Sequence, residues 1–200
     1  MRSTDLPSCP IPHLRVIELT ADHGPDLQRF FEANPAYFQA ITGAPAGPDE
    51  AHAEMHDELP PGWSFTKKWL LGYQDAQGRL VAMANVVSDL LAPRVWHIGL
   101  FMVAESLHGT GAAQALYHGL ETWAVSNGAC WLRLGVAQGN LRAESFWERL
   151  GYIQTRTRVG VEMGSRTNTI RVLAKPVAGG SLAQYLALVE RDRPEPDHAP

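Results

Sequence analysis

The stretch Val103-Ala104-Glu105-Ser106-Leu107-His108-Gly109-Thr110-Gly111-Ala112-Ala113 decides how this chain is read. Before it lies an apolar run, Val95 to Val103, long enough for a central strand. After it, Ala115, Leu116, Leu120, Trp123 and Ala124 form the buried stripe of a helix over 112–127, with Gly128 as its C-cap. A strand that turns through two glycines into a helix makes an anion cradle. Gly109 and Gly111 let the backbone turn tightly and approach a ligand, and the first helical turn offers free N–H groups at the positive end of the helix dipole. A pyrophosphate is the natural guest. Two better-known phosphate loops are excluded: Gln114 stands where a dinucleotide fingerprint needs its third glycine, and no lysine is nearby to complete a P-loop.

Working outward, residues 1–13 hold closely spaced prolines and read as a flexible arm. A strand is expected over His13 to Leu19. Helices follow over Pro25 to Ala33 (behind Asp22 as N-cap), over Ala36 to Ile41, and, past a Gly/Pro loop, over the acidic stretch Asp49 to Leu59. Trp69 to Gln74 and Leu80 to Asp89 read as paired strands around Asp75-Ala76-Gln77-Gly78. After the helix that follows the glycine turn come a strand (Trp131 to Val136), a helix (Leu141 to Leu150, closed by Gly151) and strands around Tyr152 to Val159 and Thr169 to Lys175. A domain over 14–177 then gives way, over 178–200, to a tail helix with Leu182, Leu186 and Val189 and a Pro194-Glu195-Pro196-Asp197 end that reads as disordered. This order predicts one α/β domain: a mixed, mostly antiparallel twisted sheet of six to seven strands with helices on both faces.

Composition narrows the function. The chain has 200 residues, 45% of them apolar and 19% charged, which supports one full core. Its 17 basic and 21 acidic side chains leave a net charge of −4, with no basic face for nucleic acid. Two distant cysteines, Cys9 and Cys130, suggest no disulfide framework and fit a reducing compartment. No run approaches the roughly 20 apolar residues of a membrane span, and the start lacks a signal-type apolar stretch, so a cytoplasmic location is expected.

The glycine turn resembles the pyrophosphate loop of the GNAT acyltransferases, Gln/Arg-x-x-Gly-x-Gly/Ala, here His108-Gly109-Thr110-Gly111-Ala112-Ala113 with histidine at the first position. A second segment, Asn140-Leu141-Arg142-Ala143-Glu144-Ser145-Phe146-Trp147-Glu148-Arg149-Leu150-Gly151-Tyr152, is similar to that family's Asn-x-x-Ala-x-x-Phe-Tyr-x-x-x-Gly-Phe. The resemblance covers residues 68–175 well, and the stretch before Lys68 only in layout. It implies splayed central strands with pantetheine between them. Phe101, Met102 and Val103 would lie beside pantetheine, His108 to Ala113 under the pyrophosphate, and Asn140 near an amide or the thioester sulfur; Asn140 as a plain helix cap is the compatible alternative.

The resemblance also implies transfer of an acetyl group from acetyl-CoA to a primary amine of a small acceptor, by direct attack in a ternary complex. His97 lies at about the offset where some relatives carry a glutamate base. A satisfied core histidine is the plainer reading, with Asp89 and then Glu105 as the next candidates. Trp147 stands where relatives carry an acidic tyrosine, and an indole cannot supply a proton. Ser145, Tyr117 or Tyr152 is the substitute, or the thiolate leaves without an acid. Phe31, Tyr37 and Phe38 are the candidate acceptor-pocket residues. The acidic helix is either a solvated face or a lure for a cationic amine. His52 and His56 share a helix face but lack a third ligand, so no metal is expected. Two rival functions stay open, a non-catalytic acyl-CoA sensor and an enzyme acting on protein amino groups. The tail helix is expected to pack on its own domain or on a second subunit, and the resemblance, to a family in which dimers are frequent, favours a homodimer.

Overall fold

The computed structural model describes residues 6–194, so the expected disorder over 195–197 and the first five residues lie outside it. Seven strands form one sheet in the order β1-β2-β3-β4-β5-β7-β6. In chain order they are β1 (Arg15–Glu18), β2 (Lys67–Gln74), β3 (Leu80–Ser88), β4 (Val95–Val103), β5 (Trp131–Ala137), β6 (Ile153–Met163) and β7 (Arg166–Pro176). Every pairing is antiparallel except β4 with β5. The helices are α1 (Gly24–Glu32), α2 (Pro35–Thr42), α3 (Glu50–His56), α4 (Ala112–Ser126), α5 (Leu141–Arg149) and α6 (Leu182–Leu188).

The sheet is buried on both faces, as the near-continuous apolar runs of β3 and β4 require. One face packs on α4 and α5 through Leu71, Val86, Ile98, Leu134, Leu120 and Trp147. The other carries α1, α2 and α3 over Met83, Leu100 and Met102, where Leu27, Phe30 and Phe31 are the buried stripe of α1. The tail helix α6 folds back on its own domain: Tyr185 is fully buried with Val95, Trp131 and Ala174.

Residues 6–13, expected as a flexible arm, lie along α4. Cys9, Ile11 and Leu14 pack with Tyr73, Ala82, Val103 and Leu116. Gly119 is what admits them. A Cβ there would stand 2.9 Å from both the Ser8 carbonyl oxygen and Pro10 Cδ. The last hairpin runs further than its sequence suggested, with strands of 11 residues each, and its tip docks on the end of α2. Ser165 donates both its N–H and its hydroxyl to the Thr42 carbonyl (3.0 and 2.9 Å), and Asn168 Nδ2 donates to the Ile41 carbonyl (2.9 Å).

Two departures from regularity build the site. Strands β4 and β5 pair only over Val95–Ile98 and Trp131–Leu134, and beyond that they diverge. At the fork β4 also bulges. Asn85 pairs with Leu100 and Val86 with Ile98, leaving Gly99 without a partner on β3. The bulge resets the alternation, so that Ile98 faces α4 and α5 while Leu100 faces α1 to α3.

Candidate active site

The glycine turn sits at the wide end of the fork. Gly109 and Gly111 have φ of 76° and 87°, a region other residues enter only with strain. A Cβ at either would meet nothing within 4 Å, so the turn is an open cradle. Gly111 is the N-cap of α4, and no side chain caps the helix from there. Among the described residues the amides of Gly109, Gly111, Ala113 and Gln114 have no hydrogen-bond partner in the protein. Buried or covered amides would demand partners, and an anion supplies them. The turn is braced from within. His108 Nε2 donates to the Val103 carbonyl (2.9 Å), and Thr110 Oγ1 donates to the Leu107 carbonyl (2.7 Å) while accepting from the Ala112 amide (3.3 Å). Histidine at position 108 thus fixes the loop to the end of β4.

From this turn a cleft of about 350 Å³ runs between β4 and α5. Phe101 and Val103 line it from β4, and Ala143, Phe146 and Trp147 from α5. Phe101 stacks on Phe146 (6.2 Å between centroids, 9° between planes), and Trp147 meets Phe101 edge-on at 5.9 Å. Arg142 and Arg149 stand at its rim, two cations beside the anion cradle. The residues present therefore fit a diphosphate followed by a slender, partly apolar arm, the shape of coenzyme A.

Several expected residues lie elsewhere. Met102 points away from the cleft into the core under α1. Asn140 accepts from the Ala143 amide (3.2 Å) and caps α5. Ser145 is exposed on the solvent side of α5. Asp89 holds the β3–β4 turn through the Arg94 amide (2.6 Å), at the end of β4 remote from the glycine turn. Glu105 accepts from the Ala36 amide (3.0 Å) and caps α2. Tyr117 and Tyr152 lie beneath the cleft floor, hydroxyl to hydroxyl at 3.2 Å, and burial pushes both phenols up, out of the range of a useful acid.

His97 is bound into a charged cluster below the fork. Its Nδ1 is 3.1 Å from the Arg133 carbonyl oxygen and 3.3 Å from Arg133 Nη1. Arg133, alone in an apolar strand, makes a two-pronged pair with Asp192 (2.6 and 3.0 Å), to which the Tyr185 hydroxyl also donates. Burial, and then the Arg133 charge, lowers the His97 pKa to about 3. Its imidazole is therefore neutral and a weak base.

On the face opposite the cleft, at the Gly99 bulge, is a second, smaller pocket of about 150 Å³. Phe31, Tyr37 and Phe38 line it, as expected, together with Glu54 of α3, Leu100 and Met163 from the long hairpin. Phe31 and Phe38 are also core residues, with ring centroids 5.0 Å apart. Glu54 was legible only as one acid of a charged helix. Here its Oε1 accepts from Asn85 Nδ2 at 2.7 Å, and burial raises its pKa above the usual carboxylate range. Burial, with Glu54 and Glu50 nearby, pushes the Tyr37 phenol up as well. The two pockets lie on opposite sides of β4, and Gly99, with no side chain, stands between them where the strands part.

This architecture matches a known one. The sequence model of the acetyltransferase (GNAT) family matches residues 27–152. The chain belongs to the GNAT family. Its members are acetyltransferases that use acetyl-CoA, and the cleft described above has the form that donor requires. No curated relative matches the chain in sequence. Among solved structures it is similar to an acetyltransferase from Thermus thermophilus, at 20% identity, covering 82% of this chain and 97% of that one with a TM-score of 0.62. A GCN5-related N-acetyltransferase from Kribbella flavida is 22% identical, over 83% of this chain and 99% of that one, with a TM-score of 0.60. Spermidine N-acetyltransferase from Vibrio cholerae, solved with CoA and spermine, is 15% identical over 82% and 96%, also at 0.60. At these identities the likeness is one of fold. No helix among the described residues is long and apolar enough to cross a membrane.

Proposed function

We propose that this GNAT protein transfers the acetyl group of acetyl-CoA to the amine of a small acceptor, with Glu54 as the base. The observation that carries the reading is the arrangement at Gly99: a donor cleft on one side of β4, a pocket with a half-buried carboxylate on the other, meeting where the strands diverge. The His108–Ala113 turn holds the diphosphate through its amides, with Arg142 and Arg149 at the rim. Phe101, Val103, Phe146 and Trp147 seat the arm and keep water from the thioester.

An acceptor enters as an ammonium ion, drawn by Glu54 and Glu50. Glu54 takes one proton; the freed lone pair attacks the thioester carbon, the N–C bond forms and the C–S bond breaks. The nitrogen then gives up its second proton, which ends on the sulfur. A thiol with a reference pKa of about 8.5 leaves readily as thiolate, so Trp147 in place of an acidic hydroxyl is no obstacle. Glu54 suits the base role better than His97, because burial raises the pKa of a carboxylate, whereas burial and then the Arg133 charge lower that of the imidazole. The small volume of the pocket, about 150 Å³, favours a small amine over a protein terminus.

Calorimetry with acetyl-CoA, followed by thiol release with an amine panel, tests this. Gly111→Leu forces a branched residue into left-handed backbone and fills the cradle, so acetyl-CoA uptake is lost. Glu54→Gln keeps acetyl-CoA affinity and lowers kcat by about 100-fold, in the range expected of a base. Unchanged turnover in Glu54→Gln removes the base assignment, and normal donor affinity in Gly111→Leu removes the cradle.

A further inference from the structure

Asn85 is a polar residue in the interior of β3, at a position where packing has no use for one. Only 6% of it is exposed. It pairs with Leu70 of β2 and Leu100 of β4, both in the apolar cluster under α1 to α3, and Met83, two residues before it, belongs to the same cluster. A leucine would suit such a place. Half of the carboxamide is also left idle: among the described residues Oδ1 is buried with no hydrogen-bond partner, which costs the fold stability. The other half is engaged. Nδ2 donates to Glu54 Oε1 at 2.7 Å, from the sheet to α3. A carboxylate only accepts, so the nitrogen faces it and the oxygen is left over. The bulge gives this amide its seat. A Cβ on Gly99 would lie 3.4, 3.5 and 3.6 Å from Asn85 Cγ, Nδ2 and Oδ1, so the carboxamide rests beside the bare glycine. Glu54 and Gly99 both line the acceptor pocket. Ala51, one turn before Glu54, is buried and its amide donates to Gln28 Oε1 (3.0 Å), which fixes the helix; the Glu54 carboxylate itself has, among the described residues, only the bond from Asn85.

We infer that Asn85 is a positioning residue for acetyl transfer: it ties Glu54 Oε1 to the sheet beside Gly99 and leaves Oε2 as the oxygen that takes the acceptor's proton. The inference rests on the reading of Glu54 as the base. The side-chain torsions of a glutamate are otherwise free to turn it out of line, and a misplacement on the order of an ångström removes most of the benefit of a positioned group. The same bond sets the strength of the base. Burial raises the Glu54 pKa, the Asn85 amide and Lys68 of β2 oppose it, and Asp57 and Glu50 reinforce it. The Tyr37 phenol of α2, pushed up by burial and by Glu54 and Glu50, stays neutral beside them. Without the Asn85 amide the carboxyl keeps its proton to higher pH.

The test compares the full native chain with Asn85→Leu, which keeps the branched outline, with Asn85→Asp, and with Glu54→Gln. One readout is thiol release against pH, using the amine of the panel that turns over fastest. The other needs no acceptor: NMR titration of the Glu54 carboxyl in chains carrying carbon-13 in their glutamate side chains, assigned by its loss in Glu54→Gln. Asn85→Leu is expected to keep acetyl-CoA affinity, to lower kcat about tenfold, and to move both the acid limb of kcat/KM and the Glu54 midpoint to higher pH. Asn85→Asp moves both further, because it sets a second carboxylate against the first. A residue that merely filled the core would change Tm and leave both pH readouts where they are, and that result overturns the inference. Should Asn85→Leu fail to fold, Asn85→Asp, which differs only by an oxygen in place of the amide nitrogen, decides alone. Native turnover in Glu54→Gln overturns the base reading and this inference together; an inactive Glu54→Gln with unmoved titrations in the Asn85 variants overturns this one only.

Discussion

The charge state of His97 can be measured directly, and its consequence for stability follows from the geometry. In the folded chain burial and Arg133 lower its pKa to about 3, against a reference of about 6.5 in an unfolded chain. Between those values the unfolded chain binds a proton that the native chain refuses. The contribution of the neutral ring is therefore complete above about pH 6.5 and is lost progressively as pH falls toward 3. Each pH unit in that window costs about 1.4 kcal/mol, or roughly 2 kcal/mol between pH 6.5 and 5. His97 is only partly buried as a residue, so roughly 1 kcal/mol is the better expectation. In a chain of this size that lowers Tm by roughly 2–4 °C at pH 5 relative to pH 7, beyond the change in a His97→Gln variant, which has no proton to bind. Tm against pH for the two proteins gives the difference, and NMR titration of the ring gives the midpoint itself. A midpoint near 6, or parallel pH profiles, would refute the argument and restore His97 as a candidate base.

Two further outcomes follow from buried contacts. Asp192→Ala leaves the Arg133 guanidinium buried and unpaired, with side-chain exposures of 4% and 1% in the native pair, and is expected to cost about 3–5 kcal/mol. A combined Arg133→Met and Asp192→Leu variant recovers most of this in thermal melts; a shift under about 2 °C in the single variant would contradict the pairing. Gly119→Val is expected to destabilise by about 1–3 kcal/mol and to expose residues 6–13 to protease, although removing a helical glycine ordinarily stabilises, because its Cβ would strike the Ser8 carbonyl and Pro10. Retained stability with an uncut arm would mean that the segment is not seated on α4.

What could be read in the sequence was what short-range chemistry writes. The glycine turn, the strand before it and the helix after it announce themselves in one continuous stretch, Val95 to Ser126, and Val95–Val103 begins and ends where its apolar run does. Asn140 was readable as a cap because a cap needs only its own first turn. The arm departs from expectation for a related reason: prolines do preclude helix and ladder, but what holds residues 6–13 is a bare glycine more than 100 residues away. The hairpin tip has no alternation to reveal it. Its anchor is the carbonyl end of α2, brought near only by the fold.

The candidate site divides along the same line. Its donor half is local, built on consecutive amides, so the motif alone points to most of its residues; Met102 strays because the bulge at Gly99 resets which side of β4 each residue faces. Its proposed acceptor half joins α1, α2, α3, a β3 asparagine and a β6 methionine, so no window of sequence contains it. One trace was visible all the same. Arg133 is a charge alone in Trp-Leu-Arg-Leu-Gly-Val-Ala, and a charge in that setting must find a partner or move its neighbours' pKa values. It does both, binding Asp192 and adding to the burial that keeps His97 neutral, and this is why the proposed mechanism gives the base role to Glu54, raised by burial and hydrogen-bonded to Asn85.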